Sequence, residues 1–183
     1  MEENKDSRAF WNLAGTAGLA LGLTSTVFMF ASQWLTAAEM PSFLSSIVSF
    51  IMWTAKFVGC IWLMRFFMQK FVSENPKADN TMTFRFGTAA ALLSALILAA
   101  ASFANIAFIS ADMFAEQIEQ SMQAMAPYMD SNSMEMMDNM MERMPQISFF
   151  SNLFYCFIYG TILSYILSRN IPSKNPFADY KPE

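Results

Sequence analysis

Four stretches of this chain are almost free of charge, and each is long enough to cross a lipid bilayer. Residues 9–38, 87–111 and 145–168 contain no Asp, Glu, Lys or Arg, and residues 41–67 contain only Lys56 and Arg65. The hydrocarbon core of a bilayer is about 30 Å thick, so a helix rising about 1.5 Å per residue needs about 20 apolar residues to span it. Only helices and closed barrels satisfy their backbone polar groups in lipid, and these runs lack the two-residue alternation of barrel strands. The expected fold class is therefore all-α: a polytopic membrane protein in one domain of 183 residues. Its four transmembrane helices are expected over about residues 9–37, 41–68, 84–112 and 146–168, with an outward helical segment over about 113–144. The first run reads as a retained helix. Its leading segment MEENKDSR is rich in acids, and the apolar stretch exceeds the roughly 7–15 residues of a signal-peptide core.

The few charges also set a direction. Lys5 and Arg8 precede the first run; Arg65, Lys70, Lys77 and Arg85 flank the second connection; Arg169, Lys174 and Lys181 follow the last run. Against these nine stands only Arg143 on the other side. The positive-inside rule then puts both termini in the cytoplasm and segment 113–144 outside, as expected for an inner-membrane protein. The basic rim is an orientation device that suits anionic lipid headgroups, and without interleaved aromatics on a soluble fold it does not read as a nucleic-acid site.

Within the spans, small residues recur. Ala14, Gly18, Gly22 and Thr26 follow one another at four-residue spacing in the first helix, and Ala91, Ala95 and Ala99 do the same in the third. Such stripes let backbones approach closely. They imply packing inside the bundle, with homo-oligomerisation through Gly18 and Gly22 as the alternative use. Lys56 lies nine positions before Arg65, about 13 Å deeper along the helix if Arg65 marks the membrane boundary. An ionisable group at that depth costs at least about 2.5–3.5 kcal/mol to insert, so it needs a partner or a wet cavity. No span supplies an acid. The available partners are hydroxyls: Thr24, Ser25 and Thr26, Ser94, and Tyr159. A buried polar site around Lys56, Thr24, Ser25 and Tyr159, binding an anion or relaying a proton, competes with a lysine merely satisfied by its neighbours. Cys60 is expected near the inner side and Cys156 near mid-depth, an offset that argues against a disulfide. The chain has no histidine, the commonest general base and transition-metal ligand.

The segment SMEMMDNMMERM, residues 133–144, raises a separate question. A stripe of Phe114, Ile118, Met122, Met125 and Met129 precedes it at helical spacing. Pro127 and then Asp130–Ser133 supply turn chemistry, and Asn132 with Glu135 resembles a capping box. A second helix should run from there to Met144. On it Met134, Met136, Met137, Met140, Met141 and Met144 share one face, and Glu135, Asp138 and Glu142 share the other. An outward amphipathic hairpin follows. Its methionine face has three uses open to it: packing within the hairpin, contact with a protein partner through Met134, Met137, Met141 and Met144, or capture of Cu(I) by thioethers. The separation of acids from methionines favours packing or a partner.

With four spans and a helical segment between the third and fourth, the chain resembles a bacterial membrane family catalogued as domain of unknown function 4199. The likeness runs from FWNLAGTAGLALGL in the first helix through FRFGTAAALLSALILA in the third to the charged tail after Arg169. It implies a Gram-negative inner membrane and a non-enzymatic role, with no functional residues to carry over. No nucleophile is paired with a base anywhere in the chain, which also points away from an enzyme. The sequence thus reads as an accessory or interaction protein of the membrane, without a cofactor. The alternative is a small transporter or Cu(I)-handling protein using the methionine-rich segment. A Cu(I) competition titration separates these. Wild type and a variant carrying Met134→Leu, Met137→Leu, Met141→Leu and Met144→Leu are expected to bind equally and negligibly. Tight binding lost in the variant would establish a copper site.

Overall fold

The computed structural model describes residues 2–37, 41–125 and 131–172. Among these there are no strands. Helix α1 spans Glu2–Ala37, α2 Ser42–Glu74 and α3 Asn80–Ala104, which runs on into a π-helical turn at Asn105–Ile109. Helices α4 (Ala111–Met125), α5 (Ser131–Glu142) and α6 (Met144–Asn170) complete the described chain. Four segments are long and apolar enough to cross a membrane: Ser7–Leu35, Phe43–Glu74, Asn80–Ile109 and Met144–Asn170. The protein is an all-helical, multi-pass membrane protein.

Helix α2 runs past the expected end at residue 68. Lys70 and Glu74, one turn apart, form an exposed ion pair at 3.9 Å and so continue the helix instead of ending it. The stop comes at Asn75, because Pro76 disfavours helical geometry in the residue before it. The restart is equally local. The Asp79 side chain accepts a hydrogen bond from the Met82 backbone N–H at 2.6 Å, capping α3.

The four spanning helices pack in the order α2, α1, α3, α6, with α3 making the most extensive contacts. Glycines explain how α3 is approached from two sides. A Cβ on Gly18 would lie 2.5 Å from Leu93 Cβ, and one on Gly22 would lie 2.8 Å from Ile97 Cβ. On the other side a Cβ on Gly87 would meet the Ser164 hydroxyl at 2.7 Å, and one on Gly160 would meet Ala91 Cβ at 2.5 Å. Gly18 and Gly22 are both buried. Their face is taken by α3 of the same chain, so the expected alternative of a homo-oligomer formed through them would require α3 to be displaced.

Hydrophobic packing is concentrated where α2 turns into α3. Phe71 and Phe86 stack with centroids 4.5 Å apart, and Phe10 meets them edge-on at 5.7 and 5.8 Å. Met64 and Met68 are buried beneath them. Toward the other end of the bundle the packing changes character. Ser102 and Ser148 share a hydrogen bond at 2.9 Å, and Asn152 donates to the Ser102 hydroxyl at 3.1 Å, joining α3 to α6. In the π-helical turn, the Asn105 side chain donates to Gln33 at 2.9 Å and accepts from the Ser110 hydroxyl at 3.0 Å. Here α2 is left with Phe43, Leu44, Ile47, Phe50 and Ile51 exposed. The bundle is tight at one end and open between α2 and α6 at the other.

The close approach of α1 to α3 predicts a sharp contrast. Gly18→Leu is expected to destabilise the protein by about 1–3 kcal/mol or more through overpacking. Gly15→Leu, whose added side chain starts in open space, should change stability by less than about 0.5 kcal/mol. Thermal unfolding of the purified variants in detergent checks both.

Candidate functional site

The looseness between α2 and α6 leaves a cavity of about 190 Å³ inside the bundle. Its walls follow from helical spacing. Trp53, Lys56, Phe57, Cys60 and Met64 form one stripe of α2, and Tyr155, Cys156, Tyr159, Gly160 and Leu163 form the facing stripe of α6. The floor comes from Leu21 and Ser25 of α1 and from Ala91, Ser94 and Leu98 of α3. The Phe57 and Tyr159 rings, 4.8 Å apart, bridge the two facing helices. Trp53 and Tyr155 line the cavity yet are 57% and 63% exposed, so it opens sideways, toward the lipid.

Lys56 is the one charged residue in this wall. Among the described residues no carboxylate comes within ion-pair distance of it. Ser25, nearly buried, approaches Cys60 with its hydroxyl 3.6 Å from the thiol sulfur. Of the polar residues that the sequence groups around Lys56, the structure brings Ser25, Ser94 and Tyr159 to the cavity and leaves Thr24 out. The Thr24 hydroxyl donates to the Ala20 carbonyl at 2.8 Å, and Thr26 likewise to Gly22 at 2.9 Å. A threonine in a helix satisfies itself this way whenever no better acceptor faces it.

The cysteines are where sequence reasoning went astray. Cys60 and Cys156 are free thiols, but they line the same cavity from opposite helices instead of lying at different depths. The depth expectation took Arg65 as the inner boundary, whereas α2 runs on to Glu74 and so carries Cys60 deeper. The signal that would have found them is local: Cys60 lies four residues after Lys56, and Cys156 three residues before Tyr159, one helical turn in each case. Together the walls offer one cation, hydroxyl groups and two thiols within an otherwise apolar surface. That set can bind an anion or an anionic headgroup.

The methionine-rich segment divides differently. A groove is lined by Phe114, Ile118 and Met122 of α4 together with Met141 of α5 and Met144 of α6. Met137 is half-buried, whereas Met136 and Met140 are 69% and 54% exposed. The side chain of Met134 and the expected turn around Pro127 and Asp130 lie outside the described residues, as does Met129. Two details differ from expectation. Helix α5 begins at Ser131, so Asn132 lies within it, and it ends at Glu142 instead of continuing to Met144. Only Arg143 separates it from α6, where Pro145 sits in the first turn, the helical position at which its missing N–H costs least.

No curated protein and no solved structure matches this chain. A family profile does, over residues 14–169, which takes in most of the first span, the whole of the second and third, and the fourth up to its last residue. The chain belongs to the family described as Protein of unknown function (DUF4199).

Proposed function

We propose that this is an accessory protein of the bacterial inner membrane that acts by binding and not by catalysis, with α5 as its contact surface for a protein partner. The carrying observation is the division of the methionines. Met141 of α5 and Met144 at the start of α6 turn into the groove beside α4, while Met136 and Met140 of α5 remain exposed. Packing within the chain therefore uses part of the methionine set and leaves the rest available. Unbranched, polarizable methionine suits a docking surface because it adapts to the shape it meets. Glu142 and, on α4, Glu116 and Glu119 are exposed acids in the same region. They favour a partner whose apolar patch is bordered by Lys or Arg.

The orientation belongs to this reading. With nine Lys and Arg on one side and one on the other, the termini are cytoplasmic and α4–α5 face outward. A C-terminal green fluorescent protein fusion is expected to fluoresce, and alkaline phosphatase fused after Met125 to be active. The reverse pattern would remove the partner from the compartment proposed.

For the contact itself, a photo-crosslinking amino acid at position 136 is expected to give one discrete protein adduct in cells, and the same group at position 141 none. Met140→Asp should reduce the position-136 adduct by at least about tenfold, the equivalent of about 1.4 kcal/mol. Unchanged labelling in that variant, or the same labelling from 136 and 141, would refute a specific contact at this face.

A further inference from the structure

Among the described residues, Lys56 has no carboxylate partner. The nearest carboxylate along α2, Glu74, is 18 residues away, about 27 Å along the axis, and is already paired with Lys70. The first three helices and α6 surround Lys56 with hydroxyls, thiols and apolar side chains, and none of these carries a negative charge at neutral pH in its ordinary state. An ionisable group at this depth calls for a partner of opposite charge, and the described residues supply none. The cavity is open on the side where α2 and α6 meet only sparsely, so an opposite charge has a route in from the bilayer.

The size and lining of the cavity restrict what can bring that charge. At about 190 Å³ it is close to the cavity of about 150 Å³ that accommodates one benzene ring. It holds a small headgroup and the first few carbons attached to it, and it cannot enclose a two-chain lipid. One lysine compensates one negative charge. Ser25, Ser94 and Tyr159 add neutral hydroxyl donors for the oxygens that Lys56 does not reach, while Leu21, Leu98 and Leu163 match a hydrocarbon chain. Beside the mouth, Phe50 stacks against Trp53 and is itself exposed to the lipid.

We infer that the cavity between α2 and α6 binds a single-chain amphiphile with a monoanionic carboxylate head, taken laterally from the bilayer. Its carboxylate pairs with Lys56, and its tail passes out between Trp53 and Tyr155. This site is separate from the methionine-bearing surface of α5, and either can fail without the other.

Trp53 reports occupancy directly, because it lines the site. With Trp11→Phe, Trp34→Phe and Trp62→Phe in the full-length chain, Trp53 is the one remaining tryptophan. In nanodiscs of unbrominated phosphatidylcholine, dibromostearate is expected to quench its emission saturably. The methyl ester of the same acid should bind at least about tenfold more weakly, since a hydrogen bond to a charged group is lost. Lys56→Met should weaken dibromostearate by a similar factor and leave the ester unchanged. Equal quenching by acid and ester in the wild type would overturn the proposal without reference to any variant, so a poorly folded Lys56→Met protein does not leave it untested. Saturable quenching by dibrominated phosphatidylglycerol but not by the fatty acid would overturn the single-chain assignment. Undiminished binding of the acid to a well-folded Lys56→Met protein would overturn the role of the lysine.

Discussion

The bundle depends on two helix backbones coming close to α3 from different sides. In lipid there is no hydrophobic drive to press one apolar helix against another, so association rests on contact area and on hydrogen bonds between helices. Glycines at 18 and 22 on α1, at 87 on α3 and at 160 on α6 remove the side chains that would hold these helices apart. The serine and asparagine hydrogen bonds from Ser102 to Ser148 and Asn152 then fix α3 and α6 near the other end. Helix α2 has no comparable seam with α3 or α6. It is held mainly by α1 and by the aromatic core around Phe71 and Phe86.

That unequal attachment makes the cavity. Held at one end and only sparsely joined to α6 along the rest, α2 leaves space where a more uniform bundle would have filled it. The space is not a random packing fault, because the residues facing it are chemically sorted. The α2 stripe that borders it carries Lys56, whereas the lipid-facing stripes of the same helix carry phenylalanine, tryptophan and isoleucine. Position on the helix therefore decides which side chains meet lipid and which meet one another.

Much of this was legible in the sequence, and the reasons differ from one element to the next. Four uncharged runs suffice for four spans because the bilayer fixes their length and forbids unpaired backbone. The glycines of α1 announced close packing, but a pattern of small residues does not say which helix approaches it, and the answer was α3 of the same chain. Lys56 stood out by its depth. Its neighbours could be listed only by type, since whether Ser25 or Thr24 faces the lysine depends on the rotation of α1, which adjacent hydroxyls along one helix do not reveal. The cysteines escaped because the depth of Cys60 was judged from Arg65 as the inner end of a helix that continues to Glu74. The ends of α2 and α5 shifted because a lysine–glutamate pair extends a helix as readily as it marks a membrane boundary, and because a proline one residue into α6 starts a helix as well as it ends one.

The cavity wall also has a history written into chain order. Three of its sides come from α1, α2 and α3, and the fourth from α6, the last span to be synthesised. During insertion Lys56 therefore enters the membrane before the helix that shields it exists. An isolated span can bear this, since the most apolar stretch of α2 keeps a mean hydropathy of 1.8 with Lys56 included. Until α6 docks, the lysine faces lipid and whatever water follows it in. With the last helix in place, the lysine lies in a chamber walled by four helices and open sideways between α2 and α6.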